Sequence, residues 1–113
     1  MALQPTSVIK KQLGIDINGR VQKFFTQTCA IHMDKYVPMD KGNLRDYNIE
    51  GNKIIYDQPY AEYQYYGISK TGKNLVYSPL KHPLATSYWD KKMVTNEMDD
   101  IVKEVQDFVS RGA

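Results

Sequence analysis

The stretch Tyr36-Val37-Pro38-Met39-Asp40-Lys41-Gly42-Asn43-Leu44-Arg45 divides the chain into two backbone regimes. Proline lacks an amide donor and pushes its predecessor out of the helical region, so Val37-Pro38 is extended and no helix runs through it. Asp40 and Asn43 supply turn chemistry on either side of Gly42, a residue free to take positive φ. The stretch therefore predicts a helix that stops near Tyr36, a sheet that begins near Leu44, and a structural turn built on Pro38, Asp40 and Gly42.

The flanking patterns agree with that division. From Arg20 the positions Val21, Phe24, Phe25, Thr28, Cys29, Ile31, His32 and Tyr36 recur at three- and four-residue steps, with Asp16 and Asn18 as N-cap candidates. This spacing predicts a first helix over roughly 19–36. Residues 1–13 mix Val8, Ile9 and Leu13 with Lys10, Lys11 and Gln12 and show no period, which leaves an arm, an edge strand or a short helix. Leu44 to Ile49 and Lys53 to Tyr56 read as strands joined by a hairpin turn at Glu50-Gly51-Asn52. Tyr60 to Tyr66, after the break at Gln58-Pro59, fits either a strand or a single helical turn. Gly67 to Asn74 has two glycines and no apolar anchor after Ile68, so it reads as an exposed, mobile loop. Leu75-Val76-Tyr77 follows as a last short strand.

Ser87, with Asp90 three residues on, resembles a capping box. Val94, Met98, Ile101, Val105 and Phe108 then form an apolar stripe, widened by Met93, Val102 and Val109, and Gly112 lies just past its end. That pattern predicts a helix of roughly 88–110. The class expected is α+β: a small, mainly antiparallel sheet packed by an N-terminal helix and a long C-terminal helix, in one domain over residues 1–113.

Composition narrows the function. Fifteen basic residues against thirteen acidic give a net charge of +2, and Lys10-Lys11, Lys70 with Lys73, and Lys91-Lys92 are scattered. A strong nucleic-acid binder concentrates such charge on one face. Cys29 is the only cysteine, so an internal disulfide is excluded and a reducing compartment fits. The first residues lack the basic start and apolar run of a secretory signal, and no stretch reaches the ~20 apolar residues that span a bilayer. Assembly in a cytoplasm, without a membrane partner, is the expectation.

No constellation amounts to a catalytic or metal site. Cys29 and His32 share a helix face, but a structural zinc needs four ligands and only His82 is left among nitrogen donors. As a nucleophile and base, the pair would place the thiol mid-helix among Phe25, Ala30 and Met33, where core packing is the better reading. Gly67 to Asn74 fails the phosphate-loop spacing, because Asn74 stands where a hydroxyl residue is required. Glu97, Asp99, Asp100 and Glu104 read as a solvated acidic flank opposite the apolar stripe. No cofactor is expected.

The unusual number is nine tyrosines, six of them between residues 56 and 77. Tyrosine suits surfaces buried at one end and wet at the other, and it also suits β-strands, so an interface and a tyrosine-rich sheet are both open. The candidate interface comprises Tyr60, Tyr63, Tyr65, Tyr66, Lys70 and Lys73. The linear order of the Tyr36–Leu44 motif, short strands, Pro59-Tyr60-Ala61-Glu62-Tyr63-Gln64-Tyr65-Tyr66-Gly67, a loop ending in His82-Pro83, then Trp89 and a long helix resembles the small minor capsid proteins of tailed bacteriophages, which sit in the neck between head and tail. The resemblance runs from about Gly14 to the C-terminus. In that family the position after Asp40 is often small or hydroxylated, whereas here it is Lys41. The resemblance implies a non-enzymatic virion subunit, active in head–tail joining or tail completion and forming a ring. Its implied partners are further copies of itself, connector or stopper proteins, and tail-terminator or tail-tube proteins, with non-specific contact to DNA in the channel. Two other classes compete: a nucleic-acid module stacking bases on the tyrosines with Lys70 and Lys73 on the backbone, and a small hydrolase using Cys29 and His32.

Overall fold

In the computed structural model the described residues are 1–13, 19–37, 47–57, 61–68, 72–74, 84 and 86–112, with 11–13 described by backbone alone. Their elements in chain order are β1 (Ala2–Leu3), α1 (Thr6–Leu13), α2 (Gly19–Asp34), β2 (Asn48–Glu50), β3 (Lys53–Ile55), α3 (Ala61–Tyr66) and α4 (Trp89–Ser110). The sheet is antiparallel with strand order β1-β3-β2. An α+β fold with a small sheet, a helix from the N-terminal half and a long C-terminal helix is therefore what the chain adopts. Among the described residues no helix is long and apolar enough to cross a membrane.

The core lies where α2 and α4 meet and continues onto the sheet. Val21, Phe25, Cys29, Ala30 and Met33 of α2 are buried together with Trp89, Met93, Ile101 and Val105 of α4, and Leu3, Ile54 and Tyr56 close the sheet side. The line Trp89, Met93, Glu97, Ile101 and Val105 advances by four residues and forms the buried face of α4. Val94, Met98, Val102 and Phe108 flank that face and are half-buried, so the burial axis is rotated from the expected stripe.

The N-terminal segment resolves into both a strand and a helix. Ala2 and Leu3 pair with Ile55 and Ile54. The Met1 ammonium donates to the Tyr56 carbonyl at 3.0 Å, and the Tyr56 N–H returns a bond to the Met1 carbonyl at 2.8 Å. Pro5 then stands at the entry to α1, where its missing N–H costs nothing, and its carbonyl accepts from Val8 and Ile9. The absence of one period over residues 1–13 thus reflects two short elements joined at a proline.

Other boundaries also move. The first strand of the hairpin, expected over 44–49, is Asn48–Glu50, while the turn residues Pro38, Asp40 and Gly42 lie outside the described residues, as does the strand expected at 75–77. Residues 61–66 are a helix, which settles the alternative left open there. Ile68 and Asn74 form an isolated antiparallel bridge, so the 67–74 segment has an anchor that its composition did not reveal. The capping box does not form. The residue ahead of α4 is Tyr88, in the left-handed region at φ 50 and ψ 46, with no side-chain cap. Its carbonyl instead accepts from the Lys91 and Lys92 amides at 3.0 and 3.1 Å.

Glu50 pairs with Lys53, leaving Gly51-Asn52 as a two-residue hairpin loop with Gly51 at φ 61. Nothing lies within 4 Å of a Cβ placed there, so the constraint is chiefly of the backbone. Gly51→Val should lower unfolding free energy by about 1–2 kcal/mol, the cost of left-handed backbone in an ordinary residue, while Gly51→Asn costs clearly less. Urea melts of the two variants test this, and equal losses would contradict it.

Candidate interaction surface

The tyrosines are sorted by helical geometry. Tyr63 and Tyr66 are one turn apart on α3 and both exposed, at 40% and 53%, whereas Tyr65 points inward at 6%. Tyr65 packs edge-on against Trp89 at 5.0 Å between centroids, and Trp89 packs likewise against Tyr56, just past β3, at 5.5 Å. Outward from Tyr65 the rings continue to Tyr66 at 5.2 Å and to Tyr88 at 5.1 Å, which contact each other at 5.8 Å. These edge-to-face contacts match the ring quadrupoles and fix the cluster's geometry.

Polar bonds lock the same joint. The Tyr65 hydroxyl donates to Asp90 at 2.6 Å, and the Tyr88 N–H donates to the Tyr65 carbonyl at 2.8 Å. Burial and the Asp90 carboxylate push the Tyr65 phenol well above its ordinary value, so it stays protonated and donating. The left-handed backbone of Tyr88 is thus held from both sides. The result is an exposed aromatic edge, Tyr63, Tyr66 and Tyr88, on a rigid buried root, with the Lys91 ammonium 5.2 Å from the centre of the Tyr88 ring.

Of the sequence candidates, Tyr63 and Tyr66 therefore lie on one surface, Tyr65 is their buried support, and Lys73 is exposed. Tyr60 and Lys70 lie outside the described residues. Tyr88 was missed, because nothing in the local pattern marks it as an exposed, left-handed helix entry.

Cys29 and His32 are arranged differently from a dyad. Cys29 is fully buried, and burial pushes its thiol up to about 12, so the nucleophilic thiolate is suppressed. His32 turns to α4 instead. Its Nδ1 lies 2.7 Å from Glu97 Oε1, and its Nε2 bonds Glu104 Oε2. Lys35 Nζ donates to the same Glu97 oxygen at 2.6 Å. Glu97 is thus buried on the core face, contrary to its expected place on the solvated flank; two cations, one on α2 and one just past its end, compensate it there. Its Oε2 is buried without a hydrogen-bond partner, although the nearby Tyr36 hydroxyl adds to the stabilising field. The spacing of His32 and Lys35 opposite a carboxylate in step with Met93 and Ile101 was the available signal.

Two carboxylates bracket both ring nitrogens of His32, an arrangement that suits the imidazolium, in which both are donors. Burial works to lower its pKa, but the bonds to Glu97 and Glu104 outweigh this and raise it. For Glu97 burial works upward, and the hydrogen bonds from Lys35 and His32, with the Tyr36 hydroxyl nearby, bring it below the ordinary value. Among the described residues no group of three or more His, Cys, Asp and Glu side chains is arranged to hold a metal ion.

A protein family described as "Minor capsid protein" matches residues 6–109, from α1 to the last turn of α4. The chain belongs to that family, and it is a structural component of a phage particle. No curated protein and no solved structure matches it.

The α2–α4 clasp sets a pH dependence. His32, with its pKa raised by folding, contributes stability that is fully present below its unfolded value and lost as pH rises through the folded one. Glu97, lowered, contributes stability present above its unfolded value and lost as pH falls through the folded one. Thermal melts between about pH 4 and about pH 9 should show a maximum between these limits. His32→Gln should flatten the alkaline fall, and an unchanged alkaline fall in that variant would refute the assignment.

Proposed function

We propose that this minor capsid protein is a neck subunit that takes part in head–tail joining or tail completion, working as one copy of a ring around the DNA channel. A single observation supports the reading. Of the seven large hydrophobic side chains exposed among the described residues, five are Tyr63, Tyr66, Ile68, Leu84 and Tyr88. Tyr66 and Tyr88 are in ring contact and Tyr63 and Ile68 share the α3 segment with Tyr66, and such a grouping, unlike single scattered residues, is the pattern of a protein-docking surface. Tyrosines held by neighbouring rings lose little rotamer freedom on binding, so most of their contact energy is retained.

The function that follows is mechanical. The aromatic edge buries against a neighbouring subunit or against a connector, stopper, tail-terminator or tail-tube protein, and DNA passing the channel meets the ring only through non-specific contacts. Assembly takes place in the host cytoplasm, and no step requires bond chemistry. A single-strand binder using the same rings would need a basic groove to follow the backbone, and the net charge of +2 does not favour one.

Tyr66→Ala and Tyr88→Gly test the reading. The glycine variant also removes the left-handed strain at position 88, so both should keep native stability within about 1 kcal/mol. Each should weaken docking by about 2 kcal/mol or more, as loss of a central interface aromatic does. Phage carrying either variant should accumulate filled heads without tails, seen by electron microscopy. Normal tailed particles from both variants, with the protein folded, would overturn the proposal.

A further inference from the structure

The exposed charges of α4 are segregated along its length. Its first turns bear Lys91 and Lys92, both exposed, at the end where the backbone dipole is positive. Farther along, Asp99, Asp100, Glu104 and Asp107 are exposed with only Lys103 among them, and the last turn holds Asp107 but no basic residue. Asp90 in the first turn follows the dipole, and Asp99 and Asp100, mid-helix, lie outside its reach, but the dipole does not account for the lysines or for Asp107. Nor do ion pairs within the chain. Those among the described residues join His32 to Glu97 and Glu104, and Lys35 to Glu97, and none takes up Lys92, Asp99 or Asp107. The basic end coincides with the aromatic edge, since Lys91 lies over Tyr88. From Lys92 to Asp99 the offset along the helix is about 10 Å, too far for a direct ion pair between the two groups within a copy.

Building on the ring-subunit reading, we infer that the aromatic edge of one copy, Tyr66 and Tyr88 with Lys91 and Lys92 at its rim, docks on the acidic flank of α4 in the next copy, around Asp99 and Asp100. The rings supply buried apolar area, and the opposed charges set register and discourage edge-to-edge pairing. Each copy uses its aromatic edge on one neighbour and its acidic flank on another, so association is head to tail. It adds copies until rotation closes a ring.

The test uses the full-length protein in sedimentation velocity over a range of concentration and salt. The parent chain should associate beyond a dimer, more weakly at high salt. Lys91→Glu with Lys92→Glu forms one variant, and Asp99→Lys with Asp100→Lys the other. Lys91→Glu and Lys92→Glu place charge as the dipole favours, and Asp99→Lys and Asp100→Lys lie mid-helix where it has little effect, so each variant should stay folded, as its thermal melt checks. Each alone should raise the dissociation constant by at least ~10-fold. Mixed in equal amounts they should associate again, because each acidified end then meets a basic flank and each unaltered end meets an acidic one. Lys92→Glu alone, which leaves the Lys91 contact to Tyr88 intact, should show a weaker loss in the same direction.

A parent chain that remains monomeric, a closed dimer that never grows, or a mixture that fails to recover overturns the inference. The neck reading fails separately. If Tyr66→Ala abolishes tail joining while the charge variants associate like the parent, docking stands and the acidic-flank partner is wrong. If the charge exchange behaves as described and Tyr66→Ala phage carry normal tails, the contact between copies stands and the neck role is wrong.

Discussion

The contact on which the rest depends is the burial of Trp89 between Tyr56 and Tyr65. One fully enclosed indole joins the sheet, α3 and the first residue of α4. Truncation of a buried tryptophan costs about 3–5 kcal/mol, a large share of the stability of a domain this size. Its position matters as much as its energy. Because Trp89 is the first residue of α4, fixing its ring fixes where the helix begins, which leaves Tyr88 to make the reversal in a left-handed conformation. The core thereby holds Tyr88 outward, and the Tyr65–Asp90 hydrogen bond keeps the two helices from separating beneath it.

A second joint operates halfway along α4, and its physics is different. Glu97 occupies a core position where an aliphatic residue would cost less, since a buried carboxylate must be compensated. Compensation comes from His32 on α2 and from Lys35 just past its end, both bonding Glu97 Oε1, which ties the carboxylate to one register of α2 against α4. Removing a cation from this cluster would leave a charge in the interior, whereas exchanging the whole cluster for apolar residues would be far milder. The clasp thus selects an arrangement of α2 against α4 while adding little net stability. That arrangement presents the acidic stretch of α4 on the outside.

What could be read from the residues beforehand follows from element length. The helices α2 and α4 each repeat their apolar spacing over several turns, and their extents were legible. At six residues α3 has no room for a period to separate helix from strand, and the tyrosine alternation fitted both. Once it is a helix, Tyr63 and Tyr66 fall on one side and Tyr65 on the other, so the three described tyrosines expected on one surface divide between surface and core. Residues 1–13 hid two elements because Pro5 changes the period after only a few residues. Glu97 was misplaced because a charge in a hydrophobic register looks like a solvated residue until its partners on another helix are known. The entry to α4 was misread for a related reason. Ser87 and Asp90 have capping chemistry, but Asp90 is taken by Tyr65, a tertiary partner that local spacing does not disclose. The membership in a minor capsid family was carried by the order of motifs along the chain, which survives such local errors.

The central claim is that the exposed aromatic edge around α3 and the start of α4 is the surface by which this capsid subunit joins its neighbours. Amide hydrogen exchange compared between the isolated protein and the protein in assembled particles addresses it most directly. The account predicts slowed exchange on assembly in residues 63–68 and 86–92, with the amides of α2 around Cys29 slow in both states because they are already enclosed. Unchanged exchange at 63–68 and 86–92, with new protection confined to the exposed side of α2 around Ile31, would contradict it.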